Sequence, residues 1–117
     1  MTLAAPLLLL TTVLLGAWLA ALGLRPDAKA PPGPLRIAHG GLGAAATALT
    51  IVLLTRTIRP VSALTWEASG LLAMALILGL VLWRMAAHLG PHRGMVIALH
   101  ALIGATGAAI LSGWALR

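Results

Sequence analysis

The chain has 117 residues, of which 61% are hydrophobic and only 9% are Lys, Arg, Asp or Glu. Because soluble domains carry about 25% charged residues, this composition excludes an ordinary soluble domain and indicates an integral membrane protein. Cysteine is absent, which excludes disulfides, thiolate metal ligands and iron–sulfur clusters. The net charge of +6 does not require a nucleic-acid partner, since basic residues beside membrane spans face anionic lipid surfaces.

Four apolar segments follow one another along the chain, and each is close to the roughly 20 residues with which a helix crosses a lipid bilayer. The predicted spans cover about residues 3–24, 35–55, 64–87 and 94–116. The sequence therefore predicts an all-α fold, a four-helix bundle that forms a single transmembrane domain. The first segment has no basic n-region and is longer than a signal-peptide core, so we expect a retained span.

The breaks between these segments predict how the helices are arranged. Residues 25–34 contain four prolines, one glycine and three charged residues, a composition typical of a loop. The breaks at 56–61 and 88–93 are short, so consecutive helices should be antiparallel neighbours.

Basic residues are distributed unevenly between the two ends of the predicted bundle. One end carries five of them: Arg25, Lys29, Arg36, Arg84 and Arg93. The other end carries three: Arg56, Arg59 and Arg117. Because cytoplasmic loops are enriched in Lys and Arg, this difference predicts both termini on the periplasmic side of a bacterial inner membrane.

The pattern His-x-x-x-Gly occurs near the start of the second and fourth segments. His39 precedes Gly43, and His100 precedes Gly104, at a distance of 61 residues along the chain. The first and third segments also align, at a shift that pairs Gly16 with Gly79. We therefore predict two related helical hairpins in a parallel repeat, with the two histidines at similar depth.

A histidine inside a membrane span is costly and usually faces protein, water or a cofactor. On the face of each histidine lie small residues at positions i+4 and i+7, which are Gly43 and Ala46 after His39 and Gly104 and Gly107 after His100. Such residues allow two helix backbones to pack closely, or they leave room for a flat ring between the helices. Other small residues are predicted to form packing surfaces: Gly40, Ala44, Ala48, Ala101, Ala105, Ala109 and Gly113.

The stretches Arg-Ile-Ala-His-Gly-Gly-Leu-Gly (36–43) and Leu-His-Ala-Leu-Ile-Gly-Ala-Thr-Gly (99–107) resemble helix openings of the cytochrome b-561 superfamily. The resemblance implies a four-helix membrane core that transfers electrons through haem b. It implies His39 and His100 as axial ligands of one haem iron, with Gly43, Gly104 and Gly107 beside the cofactor. A second haem would need another matched pair, which His88 and His92 do not supply, because they flank one turn at Gly90-Pro91.

Two other functions remain open at this point. The chain could be a cofactor-free accessory subunit of a larger membrane complex or of a homo-oligomer, with each histidine bonded to a neighbouring carbonyl. Alternatively, each histidine could point outward and bind a separate (bacterio)chlorophyll. In the haem interpretation the partners are another membrane subunit and the quinone pool.

Independent catalysis and proton-coupled transport are both disfavoured by the sequence. No Ser-His-Asp set, metalloprotease motif or phosphate-binding loop is present. The two acidic residues, Asp27 and Glu67, lie in a loop and near a span end, so no carboxylate is expected in mid-membrane. His88 and His92 are interpreted as solvated residues at the membrane surface, rather than a metal or quinone site.

Overall fold

The computed structural model describes residues 3–25, 32–58 and 60–116. Within these residues the chain forms four long α-helices and one short 3-10 helix at Gly90–His92. The α-helices are α1 (Ala4–Gly23), α2 (Gly33–Arg56), α3 (Ala63–Met85) and α4 (Arg93–Ala115). All four are long and apolar enough to cross a membrane. The predicted all-α membrane bundle is therefore confirmed, whereas Asp27, Lys29, Arg59 and Arg117 lie outside the described residues.

Local sequence signals fix the ends of the helices. Pro34 stands in the first turn of α2, where its missing N–H costs nothing. Ser62 caps α3 by accepting a hydrogen bond from the backbone N–H of Thr65 at 3.3 Å. Gly90, with a φ of +48°, makes the turn between α3 and α4, in a conformation that glycine adopts without strain. The α-helices consequently begin and end within two residues of the predicted spans.

The helices pack in chain order around the bundle. Each of α1, α2, α3 and α4 contacts the next, and α4 closes the ring by packing against α1. The contact between α3 and α4 is the most extensive, and that between α2 and α3 is the least. Helices α2 and α4 therefore lie diagonally across the bundle from each other, and they run in the same direction.

The buried core lies towards the end of the bundle that holds the start of α1 and the α2–α3 connection. It consists of small residues and leucines: Leu9, Ala46, Leu54, Ala68, Leu72, Ala108 and Leu111. Thr47 and Thr50 are also buried, and they donate their hydroxyls to the carbonyls of Gly43 and Ala46, at 2.8 and 2.7 Å. Their polar groups are thus satisfied within their own helix, as expected for threonine in an apolar span.

Part of the predicted packing surface does not pack within this chain. Ala44, Ala48 and Ala109 are exposed on the outside of the bundle, and Gly113 has open space where a Cβ would lie. The buried faces of α2 and α4 are instead those of Ala46 and Ala108. Sequence alone does not distinguish these faces, because every face of these helices is apolar.

Candidate cofactor site

A cavity of about 700 Å³, to which all four helices contribute, extends from the other end of the bundle to the core residues Leu9, Ala46, Leu72 and Ala108. This volume lies within the roughly 300–1,000 Å³ that is usual for sites of small molecules and cofactors. The wall is predominantly apolar and includes Val13, Leu76 and Ile97. Its ionisable side chains are Arg36, His39, Arg93 and His100.

The structure brings His39 and His100 together inside this cavity. Their Nε2 atoms are 3.5 Å apart, although the two residues come from diagonally opposed helices. The ring planes are nearly perpendicular, at 86°, with centroids 5.8 Å apart. The two matched histidines therefore share one site, and each presents the same ring nitrogen to the other.

Each histidine ring is held by a backbone carbonyl of the preceding helix. Nδ1 of His39 donates to the carbonyl of Thr12 on α1 at 3.1 Å. Nδ1 of His100 donates to the carbonyl of Ala75 on α3 at 2.8 Å. These bonds fix the orientation of both rings, and they determine which nitrogen carries the proton, because a carbonyl oxygen only accepts hydrogen bonds.

Glycine on the neighbouring helix makes room for each ring. A Cβ at Gly16 would lie 2.7 Å from Cε1 of His39, and a Cβ at Gly79 would lie 3.1 Å from Cε1 of His100. Each glycine is four residues after the carbonyl that binds the ring, so both lie on one face of their helix. The two halves of the chain thus repeat the same unit of carbonyl, glycine and histidine, as the predicted parallel repeat requires.

The hydrogen-bond pattern leaves the two Nε2 atoms without a proton between them. With Nδ1 protonated in each neutral ring, both Nε2 atoms are acceptors, and two acceptors cannot form a hydrogen bond with each other. The contact becomes favourable if one ring carries a second proton, which places a positive charge inside a membrane protein at a cost. It also becomes favourable if a metal ion accepts both lone pairs.

The geometry is close to what two imidazole ligands of one metal ion require. With metal–imidazole bonds of roughly 2.0–2.1 Å, ligands on opposite sides of an ion stand roughly 4 Å apart, about half an ångström more than here. An N–H bonded to a backbone carbonyl is also usual for the second nitrogen of a metal-ligating histidine. Within the described ranges, no group of three or more His, Cys, Asp or Glu residues could hold a metal ion. Two histidine ligands would be enough for a metal ion whose other ligands belong to a larger bound group. The cavity of about 700 Å³ has space for such a group.

The predicted glycines divide into two groups. Gly43 and Gly104 line the cavity, and a Cβ at either position would make ordinary contacts, 3.4 Å from Thr12 Cγ2 and 3.5 Å from Ala75 Cβ. Gly107 is not part of the cavity wall, since a Cβ there would lie 2.9 Å from the carbonyl oxygen of Ala68 on α3. Gly107 therefore allows α3 and α4 to approach closely.

Sequence reasoning did not assign Gly16, Gly79 or the two carbonyls to the site. The available signal was the alignment of the first and third spans, which pairs these two glycines. Leucine-rich segments match so readily that this pairing carried little information by itself. His88 and His92 are exposed at the turn before α4, and Glu67 is exposed near the start of α3, so none of them belongs to the site.

Comparisons with protein-family models, with curated proteins and with solved structures found no match to this chain.

Proposed function

We propose that this protein is a membrane electron-transfer subunit that binds one b-type haem between α2 and α4, with His39 and His100 as its axial ligands. The observation that carries the proposal is the pair of Nε2 atoms, 3.5 Å apart in a cavity of about 700 Å³, each with its lone pair towards the other. Haem, when bound, supplies one-electron redox chemistry, and the protein supplies ligands and burial.

The residues around the histidines support this role in three ways. The carbonyls of Thr12 and Ala75 hold the ring orientations and increase the basicity of Nε2 through the Nδ1–H bonds. Gly16 and Gly79 leave space for the ring edges. The wall around the histidines is predominantly apolar, and an apolar surrounding influences the redox potential of a bound metal group.

The other two interpretations account for less of the geometry. Separate pigments would require histidines that point away from each other, whereas these share one cavity. A purely structural role accounts for the Nδ1 bonds to the Thr12 and Ala75 carbonyls, but it leaves two acceptor nitrogens face to face. The other two histidines, His88 and His92, are exposed outside the cavity, which supports a single haem per chain.

In this proposal the protein lies in a bacterial inner membrane, beside a partner subunit. Electrons pass between that partner and the quinone pool. The support for the membrane itself is the set of four apolar helices, and the support for the redox role is the histidine pair.

Absorption spectra of the purified, detergent-solubilised protein test the proposal, recorded oxidised and after reduction with dithionite. We expect sharp reduced α and β bands of a low-spin b-type haem, with one haem per chain. Red or near-infrared chlorin bands would instead establish pigment binding. A featureless visible spectrum from protein isolated with its native partners would leave the accessory role.

Substitution of either axial histidine is the companion experiment. His39→Ala and His100→Ala should each abolish the haem bands, while circular dichroism shows the helices intact. His88→Ala is the matched control, because this histidine is exposed outside the cavity, and it should keep the full haem content. Full haem content in both His39→Ala and His100→Ala would show that the ligand assignment is wrong.

A further inference from the structure

Two arginines stand where the cavity approaches the membrane surface. Arg36 lies in the first turns of α2 and Arg93 is the first residue of α4, and both are half-buried side chains that line the cavity. They precede His39 and His100 by three and seven residues. At about 1.5 Å per helical residue, the arginines are therefore roughly 5 and 10 Å from the histidines along the bundle axis.

Each arginine side chain reaches a neighbouring helix at this end of the cavity. Arg36 donates from Nη2 to the carbonyl of Trp83 near the end of α3, at a long 3.4 Å. The Nη2 atom of Arg93 lies near the end of α1, 3.8 Å from where a Cβ of Gly23 would be. The two guanidinium groups thus lie at one end of the cavity, on the same side as the loops that follow α1 and α3.

These two cations face no carboxylate in the part of the chain that the structure describes. Glu67 is the only acidic side chain there, and it is exposed near the start of α3, at the opposite end of the bundle. A guanidinium has five N–H donors, and the long bond to Trp83 uses one of those of Arg36. Two positive charges beside one apolar cavity are favourable only with an anion or with water between them.

We infer that Arg36 and Arg93 form an oxyanion subsite at the cavity mouth, which binds the acidic groups of the ligand held by the histidines. The inference rests on the proposed function, and under it the oxyanions are the carboxylates at the edge of the haem porphyrin. A lipid phosphate has the same chemistry. The cofactor is the better source because both arginines line the cavity, whereas Arg84, at the same end of the bundle, is exposed on its outer surface.

Titration of the haem-free protein with two forms of haem tests this subsite. The probes are ferric haem with free carboxylates and its dimethyl ester, added in a neutral detergent. The proteins are the wild type, Arg36→Gln, Arg93→Gln and the double variant, with Arg84→Gln as the control. Since hydrogen bonds to charged groups are strong, each cavity substitution should weaken binding of free-acid haem about tenfold. The ester should bind all these proteins with equal affinity, and the low-spin spectrum should persist.

The outcomes separate the subsite from the function on which it rests. Equal loss of affinity for the free acid and the ester would show that the substitutions disturb the structure of the cavity and remove no contact with the carboxylates. That result would overturn the subsite and leave the proposed function standing. A wild type that binds neither form overturns the proposed function as well. Phosphatidylglycerol retained by the wild type and lost in the variants, with unchanged affinity for free-acid haem, would assign the subsite to lipid phosphate.

Discussion

Each histidine of the cavity depends on a glycine that lies on the preceding helix. The ring of His39 occupies the space that a side chain at Gly16 would fill, and the ring of His100 occupies the corresponding space at Gly79. The absence of a Cβ also leaves the helical carbonyl four residues earlier accessible to Nδ1. One glycine thus provides both the space for the ring and access to its hydrogen-bond acceptor.

Alanine at these glycines should weaken the site by displacing the rings. A Cβ at Gly16 would approach His39 Cε1 to 2.7 Å, so Gly16→Ala should tilt the ring and break its bond to the Thr12 carbonyl. The contact at Gly79 would be 3.1 Å, so Gly79→Ala should have a smaller effect. We expect reduced haem content and a partly high-spin spectrum, stronger for Gly16→Ala, measured by reduced-minus-oxidised absorption spectroscopy.

Gly41→Ala is the control for these variants, because it is exposed and has open space at its Cβ position. It should keep the wild-type spectrum. If Gly16→Ala also keeps an unchanged low-spin spectrum and full haem content, a His39 ring bonded to the Thr12 carbonyl is not the one that binds haem.

The sequence predicted the two histidines of the cavity, but not the glycines and carbonyls that surround them. His39 and His100 could be found because histidine is rare and costly in a membrane span. Gly16 and Gly79 carry no such signal, since glycine is frequent in membrane helices and has several roles there. The carbonyls of Thr12 and Ala75 belong to the backbone, so no side-chain pattern identifies them.

At the scale of helices, the contact between α3 and α4 depends on a glycine outside the cavity. A Cβ at Gly107 would lie 2.9 Å from the carbonyl of Ala68 and 3.3 Å from Cβ of Leu71. Both neighbours are fixed to the backbone of α3, so neither moves without displacing that helix. Gly107 therefore sets the distance between the two helices with the most extensive contact in the bundle.

Gly107→Ala should destabilise the bundle by about 1–3 kcal/mol, the usual cost of adding a methyl group to a packed interior. Thermal or denaturant unfolding in detergent measures the change. Gly113→Ala is the matched control in the same helix, because its Cβ position is open, and it should be neutral or slightly stabilising. Equal stability of the two variants would contradict the close contact at Gly107.

The sequence predicted where each helix begins and ends, but not which face of each helix points into the bundle. Pro34, Ser62 and Gly90 stand at helix ends, where their backbone and capping preferences act locally. Which stripe of small residues faces inward depends on how the helices rotate relative to one another. When a helix is apolar on every face, the spacing of its hydrophobic residues does not indicate which face is buried.

In the bundle as a whole, the end that holds the cavity is also the end that carries more positive charge. The cavity extends to the loops after α1 and α3, where Arg36 and Arg93 line it. Among the described residues, Arg25, Arg84 and these two arginines belong to this end, and Arg56 belongs to the other. The end with more positive charge is expected in the cytoplasm, so we predict that the cavity mouth faces the cytoplasm.

Single-cysteine labelling tests this orientation without background, because the chain contains no cysteine. Ile58, fully exposed after α2, and His88, exposed after α3, report the two ends of the bundle. In intact bacterial cells, a membrane-impermeant maleimide should label Ile58→Cys, whereas His88→Cys should react only after the cells are opened. The reverse pattern would place the arginines and the cavity mouth in the periplasm. Because α2 and α4 are parallel, such a reversal would move both histidines together, so the histidine pair would stay intact while the side of the membrane from which it is accessible changed.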